Sequence, residues 1–458
     1  MTVITSSVET PNALTRQARY AAGKALRSHV PRISHGDWAP AADRPDPLNL
    51  LTESNQGRIE DLIPIRYGRM SRSPFNFFRG AAVIMANDLS QTPITGLKAQ
   101  ICGDAHLANF GIYATPERKQ VFDLNDFDET LHGPWEWDVK RLAASIVIAG
   151  RQNGYTTAVN REIAIASMQA YRQMMQKLAT MCHLDIWYFD INLHGIIELM
   201  NRQSRQRILK TIQTARKKTN LHTFPKMTEL VEGQYRIKDE PPLIVHNQAV
   251  ANMESTRGFI ERYLASLPED RKTLLSKYHL IDVAEKVVGV GSVGTICAVV
   301  LLLGNNDPQD PLFLQIKQAQ ASVLEPYLGS SAYTNHGHRV VVGQRLMQSA
   351  SDIFLGWTRA EQADFYVRQL RDLKVSLDAT TMDQKNFTSY TQACASALAR
   401  AHARSGDPAQ ISGYMGKSDQ FDLALASFAE TYANQNEQDY AALLEAIKQG
   451  KIKATMDV

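Results

Sequence analysis

Apolar and polar positions follow two different rhythms along this chain, and the switches between them divide it. At 99–149 short apolar runs are broken by turn residues: 99–102 reads as a buried strand, 110–114 and 120–124 as a hairpin around Pro116, and 139–149 as a helix. Just upstream, 75–89 places Phe78, Ala82 and Met85 on one helical face. Three-and-four spacing predicts further helices at 161–178, 256–267, 360–377, 389–404 and 419–449, with breaks at 405–408 and at Ser412-Gly413. Residues 234–237 form a short strand before the turn at Pro241-Pro242. Residues 287–317 read as strand, glycine turn, strand, turn, strand, and 339–346 as one more strand of the same sheet. The uncharged stretch 287–304 reaches the lower length limit of a membrane span. Its four glycines, its β-branched residues and the turn that begins at Asn305 argue for strands instead. The pattern as a whole predicts an α+β protein.

Composition narrows the function. A chain of 458 residues with a net charge of +3 has room for two or three domains and gives no global case for nucleic-acid binding. Cys102, Cys182, Cys297 and Cys394 are widely spaced with no CxxC pair, so neither a disulfide framework nor a zinc site is expected, and the reading is a reducing cytoplasm. No apolar signal core follows Met1, and no membrane span is expected. Residues 1–45, poor in acid and rich in Ser, Thr, Ala, Arg and Pro, predict a loosely held arm. The run 201–220 carries seven Lys or Arg and no acid. It reads as the wet face of a helix with Ile208, Leu209 and Ile212 inward, or as a surface for an acidic ligand.

The densest candidate chemistry is at 103–128. Asp104, Asn109, Asp126 and Asp128 fall on loops between predicted strands, where one folded unit can converge them. Oxygen ligands of this kind suit magnesium, or manganese, better than zinc. The alternative is a set of turn and capping residues.

The GDAHLAN segment at 103–109 resembles the G-D-x-H-x-x-N catalytic loop of aminoglycoside and choline phosphotransferases, relatives of the protein kinases. Asp126-Phe127-Asp128 follows a hairpin as the metal-binding segment of those enzymes does, and Trp137-Asp138-Val139 is similar to the W-D-L that opens their next helix. Cys102 stands where those enzymes usually carry histidine. More closely, Ser73-Pro74-Phe75 with Phe78-Arg79-Gly80, CGDAHLANFG, NDFDET and GPWEWDVKRL together resemble the bacterial domain of unknown function 2252 family, from about residue 46 to near the C-terminus. That resemblance names no substrate. The phosphotransferase resemblance implies that Asp104 orients and deprotonates an acceptor hydroxyl, that His106 braces the loop, and that Asn109, Asp126 and Asp128 hold metal on the phosphates of ATP.

Gly289, Gly291 and Gly294 match GxGxxG, but no helix follows, which disfavours a dinucleotide fold. A kinase glycine loop, with Ser292 in it, fits better, and Lys317 then ends the third strand, where the kinase lysine meets phosphate. Glu325 is the nearest candidate partner for Lys317, and Arg66 and Arg79 are candidate contacts to phosphate or substrate. His402 and Arg404 end a helix, as caps or within reach of the site. Because the glycine loop follows the catalytic loop, the expected fold is a circularly permuted, two-lobed kinase-like one. Its parts are the arm, a catalytic part at 46–281, a nucleotide part at 282–357 and a helical part at 358–458 packed on the catalytic lobe. The expected function is ATP- and magnesium-dependent phosphoryl transfer to a hydroxyl of a small molecule or protein. Adenylyl transfer, a nucleotide-binding pseudokinase and a membrane-associated structural protein are the alternatives.

Overall fold

Alternating side chains on successive strands account for the larger sheet. The computed structural model describes residues 14–191, 205–206, 209–210, 220–246, 256–360, 363–370 and 375–456. In chain order the strands are β1 (Lys98–Ile101), β2 (Phe110–Ala114), β3 (Gln120–Leu124), β4 (Leu131–Pro134), β5 (Thr228–Val231), β6 (Gln234–Ile237), β7 (Ile244–Val245), β8 (Tyr278–Lys286), β9 (Cys297–Gly304), β10 (Pro311–Ala319), β11 (Gly356–Ala360), β12 (Ala363–Gln369) and β13 (Val375–Ser376). Six of them make one antiparallel sheet in the order β11-β12-β10-β9-β8-β7. Ala298, Val300, Leu312, Leu314, Ile316, Phe365 and Val367 pack on one face, and Val299, Leu301, Leu303 and Phe313 on the other. Burial on both faces explains the near-continuous apolar run of β9. Asn305 and Asn306, at φ of 49° and 61°, turn β9 into β10 as expected of asparagine. On β10 the second face changes from Phe313 to Gln315 and Lys317, so the sheet is apolar at one end and charged at the other.

The helices that build the rest are α1 (Arg16–Ala25), α2 (Pro47–Glu53), α3 (Ile63–Met70), α4 (Pro74–Gly80), α5 (Ala82–Ser90), α6 (Trp135–Gln152), α7 (Thr157–Leu178), α8 (His336–Met347), α9 (Gln384–Ser405), α10 (Pro408–Met415) and α11 (Gln420–Lys448). The α6 helix is buried on nearly every side among α7, α9 and α11. The chain is an α+β protein, and no helix among the described residues is long and apolar enough to cross a membrane.

Several expectations need correction. Residues 339–346 are not a strand but lie inside α8. Asn335 caps that helix by accepting from the His338 amide, and Arg339, Val340, Gly343, Gln344 and Met347 are buried at helical spacing. Close approach to Thr130 at Gly343 and to the Phe365 carbonyl at Gly337 overrides the β preference of Val340-Val341-Val342. The described residues of the stretch 360–377 are not helical. They hold the end of β11, β12 and β13, with Phe365 and Val367 in the core and Tyr366 and Arg368 on the opposite side, a period of two. The sheet therefore extends on both sides of the expected 282–357 segment, from Ile244 to Gln369. The helix expected over 75–89 breaks at Ala81 into α4 and α5, and α10 runs straight through Ser412-Gly413.

The described part of the N-terminal arm is not loose. The α1 helix lies directly on α10, because Gly23 and Gly413 carry no side chain: a Cβ on Gly23 would stand 1.9 Å from the Gln410 carbonyl oxygen. Arg27 donates to the Tyr414 and Gly413 carbonyls at 2.8 and 2.5 Å, and buried His35 meets the Tyr414 hydroxyl at 2.7 Å. Most of the basic run 201–220 is outside the described residues; Leu209, which is described, is exposed rather than inward.

Candidate active site

The loop between β1 and β2 is held from beneath by α6. Buried Asp138, in the first turn of that helix, accepts the amides of Cys102 and Gly103 at 2.8 and 2.9 Å. His402, fully buried near the end of α9, sets Nε2 at 3.2 Å from the same carboxylate and Nδ1 at 2.8 Å from the Tyr171 hydroxyl. Cys102 is buried, and desolvation pushes its thiol well above the ordinary range, which disfavours the thiolate. Gly103 has φ of +77°, and a Cβ there would stand 2.4 Å from the Glu129 carbonyl oxygen. Glycine at this position lets the loop lie against the segment that follows Asp128.

On that loop Asp104 faces a cleft. Its Oδ1 accepts from Arg141 Nε at 2.5 Å, and His106 Nε2 is 3.6 Å from its Oδ2. Burial pushes the Asp104 carboxyl above its usual value although Arg141 and Arg79 oppose the rise. His106 is buried against Phe75, and desolvation, aided by Arg79 and Arg141, pushes it well below its usual value, which leaves it neutral. Asn109 donates Nδ2 to the Asp104 carbonyl at 2.6 Å, which fixes the amide and leaves its Oδ1 without a donor among the described residues.

The β2–β3 hairpin carries Asp126 and Asp128 to the same cleft. Asp128 is taken by the sheet: Oδ2 accepts from Lys317 Nζ at 2.6 Å and Ser292 Oγ at 3.0 Å, and Oδ1 from the Tyr366 hydroxyl at 2.7 Å. Against desolvation, which would raise it, Lys317 and Tyr366 hold the Asp128 carboxyl at about 2. Lys317 is itself only 3% exposed; burial would lower its pKa, but Asp126 and Asp128 raise it well above its ordinary value. Glu129, one residue on, is pushed up to about 7 by burial. Asp123 stands apart, buried 2.5 Å from Arg400.

One cleft of about 320 Å³ is lined by Asp104, His106, Asn109, Asp126 and Asp128 on one side, by Gly289, Gly291 and Ser292 on another, and by Arg66 and Arg79 on a third. Ten sequence-predicted residues thus share it, and Lys317 reaches it through Asp128. Gly294 and Glu325 do not line it. Gly294, at φ of +91°, accepts from the Ile59 amide at 2.7 Å and anchors the glycine loop to the N-terminal helices. Glu325 is not the partner of Lys317; its carboxylate lies 3.8 Å from Arg339 and from His336 and accepts the Ser322 amide.

The donor set suits magnesium in one arrangement. Among the described residues no three His, Cys, Asp or Glu side chains gather as a metal cluster. Asn109 and Asp126 supply two oxygens at the cleft wall, and magnesium is commonly held by one or two such groups with phosphate oxygens and water completing its shell. Asp128, the third expected metal ligand, lines the same cleft and is paired with Lys317.

A sequence model of the family described as "Uncharacterized protein conserved in bacteria (DUF2252)" matches residues 58–446. The chain belongs to that family. No curated protein and no solved structure matches. In this DUF2252 protein the residues at or behind the site that sequence reasoning passed over are Arg58, Arg141, Tyr366 and Arg368, while His402 was read as a helix cap or as within reach of the site. Arg141 lies three residues after Asp138 and so shares its face of α6, a signal that was legible. Tyr366 and Arg368 were hidden by the helical reading of β12, where Lys317 pairs with Tyr366 and Gln315 with Arg368.

Proposed function

We propose that this protein is an ATP- and magnesium-dependent phosphotransferase acting on a hydroxyl of a small molecule or protein, with a circularly permuted kinase-like fold. The observation that carries the reading is convergence: Gly289, Gly291 and Ser292 share one cleft with Asp104, Asn109 and Asp126 across nearly two hundred residues of sequence, and Lys317 reaches it through Asp128. The sheet supports it too. The glycine loop joins β8 to β9, the lysine is on the next strand β10, and a helix, α8, follows before β11 and β12, which is the order of parts that a kinase nucleotide lobe uses. The chain's own residues then have defined tasks. Asp104, its pKa raised by burial and its carboxylate aimed by Arg141, orients the acceptor hydroxyl and takes its proton. Lys317 and the loop amides bind phosphate, and Asn109 with Asp126 hold the cation. Bound magnesium would neutralise the charge that develops on the transferred phosphoryl group.

The burial of Lys317 and its tie to Asp128 favour a second reading, a nucleotide-binding pseudokinase that regulates a partner. Incubation of the protein with magnesium, a cell extract and ATP labelled on either the α- or the γ-phosphate separates the readings. Phosphoryl transfer moves only the γ-label to an acceptor and adenylyl transfer only the α-label. A pseudokinase moves neither.

A further inference from the structure

Several buried arginines in this protein have carboxylate partners, and three arginines that gather on one wall of the cleft do not. Arg44 pairs with Asp88 and Asp439, Arg172 with Asp422, Arg400 with Asp123 and Arg141 with Asp104. Arg58, in the connection between α2 and α3, Arg66 on α3 and Arg79 on α4 line the cleft and have none within ion-pair distance among the described residues. Arg66, 2% exposed, donates to Ser54 Oγ at 3.1 Å, to Asn55 Oδ1 at 2.5 Å and to the Gly80 carbonyl at 3.2 Å, all neutral. Arg58 donates to the carbonyls of Ser54 and Val293 at 3.0 and 2.6 Å, and Arg79 donates to Asn76 Oδ1 at 3.3 Å. The Nε atoms of Arg66 and Arg79 are buried with no hydrogen-bond partner among the described residues.

Unpaired charge away from water is destabilising, and guanidinium stays charged at neutral pH, so buried Arg66 with half-buried Arg58 and Arg79 on one wall form a site that an anion completes. In the proposed phosphotransferase the nucleotide's phosphates belong to Lys317, the glycine loop and the cation at Asn109 and Asp126. The arginine wall remains for the acceptor. Arg79 is close enough to act on both Asp104 and Asp126, which sets the anion beside the reacting hydroxyl. A monocarboxylate would offset one of three charges; a phosphate dianion offsets two and accepts from the guanidinium forks in pairs.

We propose that Arg58, Arg66 and Arg79 bind a phosphate group already present on the acceptor, so that the substrate is a phosphorylated, hydroxyl-bearing molecule. This rests on the phosphotransferase reading, and calorimetry separates the two. Inorganic phosphate is titrated into the full-length protein, wild type, Arg79→Gln, Arg79→Lys and Lys317→Met, with and without a magnesium complex of a non-hydrolysable ATP analogue. The expected result is equal phosphate binding by wild type and Lys317→Met, retained beside the analogue. Binding should be weaker by roughly tenfold in Arg79→Gln and reduced in Arg79→Lys, which keeps the charge but loses the fork. A melting temperature of unliganded Arg79→Gln at or above that of wild type marks the arginine as a binding rather than a structural group. Phosphate affinity unaffected by either Arg79 variant, absence of phosphate binding, or displacement of phosphate by the analogue would overturn the proposal. Phosphate binding that follows Arg79 in a protein giving no heat with the analogue would support the anion site and overturn the phosphotransferase reading alone.

Discussion

Lys317 Nζ and Asp128 Oδ2 lie 2.6 Å apart although 189 residues separate them in the chain. The pair joins the charged end of β10 to the segment after the β2–β3 hairpin. Ser292 and Tyr366 converge on the same carboxylate, so one side chain ties the glycine loop, β10 and β12 to the Asp104 half of the cleft.

Asp104→Asn keeps the size of the side chain and one acceptor for Arg141 but removes the base. Transfer, followed as labelled phosphate on the acceptor, should fall by about a hundredfold to ten-thousandfold, with ATP binding nearly intact. Wild-type turnover in this variant would end the general-base assignment.

Asp138→Ala acts through the loop rather than on the reacting atoms. It strands the Cys102 and Gly103 amides and the His402 ring in the core. Stability should drop by about 2 to 4 kcal/mol, since each buried group left unpaired costs about 1 to 3 kcal/mol. Denaturant unfolding measures this; a change below about 0.5 kcal/mol, the scatter of surface substitutions, would show that the loop is supported otherwise.

Glu129 gives the cleft a pH dependence. Its folded-state pKa of about 7 is above the ordinary glutamate value, so its contribution to stability is full below about 4.5 and is lost as pH rises through 7. Wild type should therefore lose melting temperature relative to Glu129→Gln between pH 5 and pH 8, by on the order of 2 °C or more. Parallel melting curves across that range would contradict the raised pKa.

Short-range chemistry was legible in the sequence and long-range override was not. The hairpin, the β9–β10 turn and the catalytic-type loop are fixed by turn residues and by two-residue alternation within a few positions, and they form where expected. The α8 helix was missed because Val340-Val341-Val342 favours a strand locally, while contacts of Gly337 and Gly343 with Phe365 and Thr130 decide for a helix. The helical reading of 360–377 hid Tyr366 and Arg368 as well, since β12 has to be seen as a strand before its alternate residues sit beside Lys317 and Gln315. The partner of Lys317 was sought eight residues away at Glu325, by proximity along the chain; the fold supplies Asp128 instead. His402 looked like a helix end, and only the packing of α9 on α6 turns it toward Asp138.

The most direct test of a single nucleotide site is calorimetry of ATP binding with and without magnesium in wild type, Lys317→Met and Asp126→Asn. The account predicts magnesium-dependent binding by wild type, affinity lower by roughly tenfold or more in Lys317→Met, and a loss of the magnesium-dependent increment in Asp126→Asn. Equal ATP affinity in all three proteins, unaltered by magnesium, would contradict it.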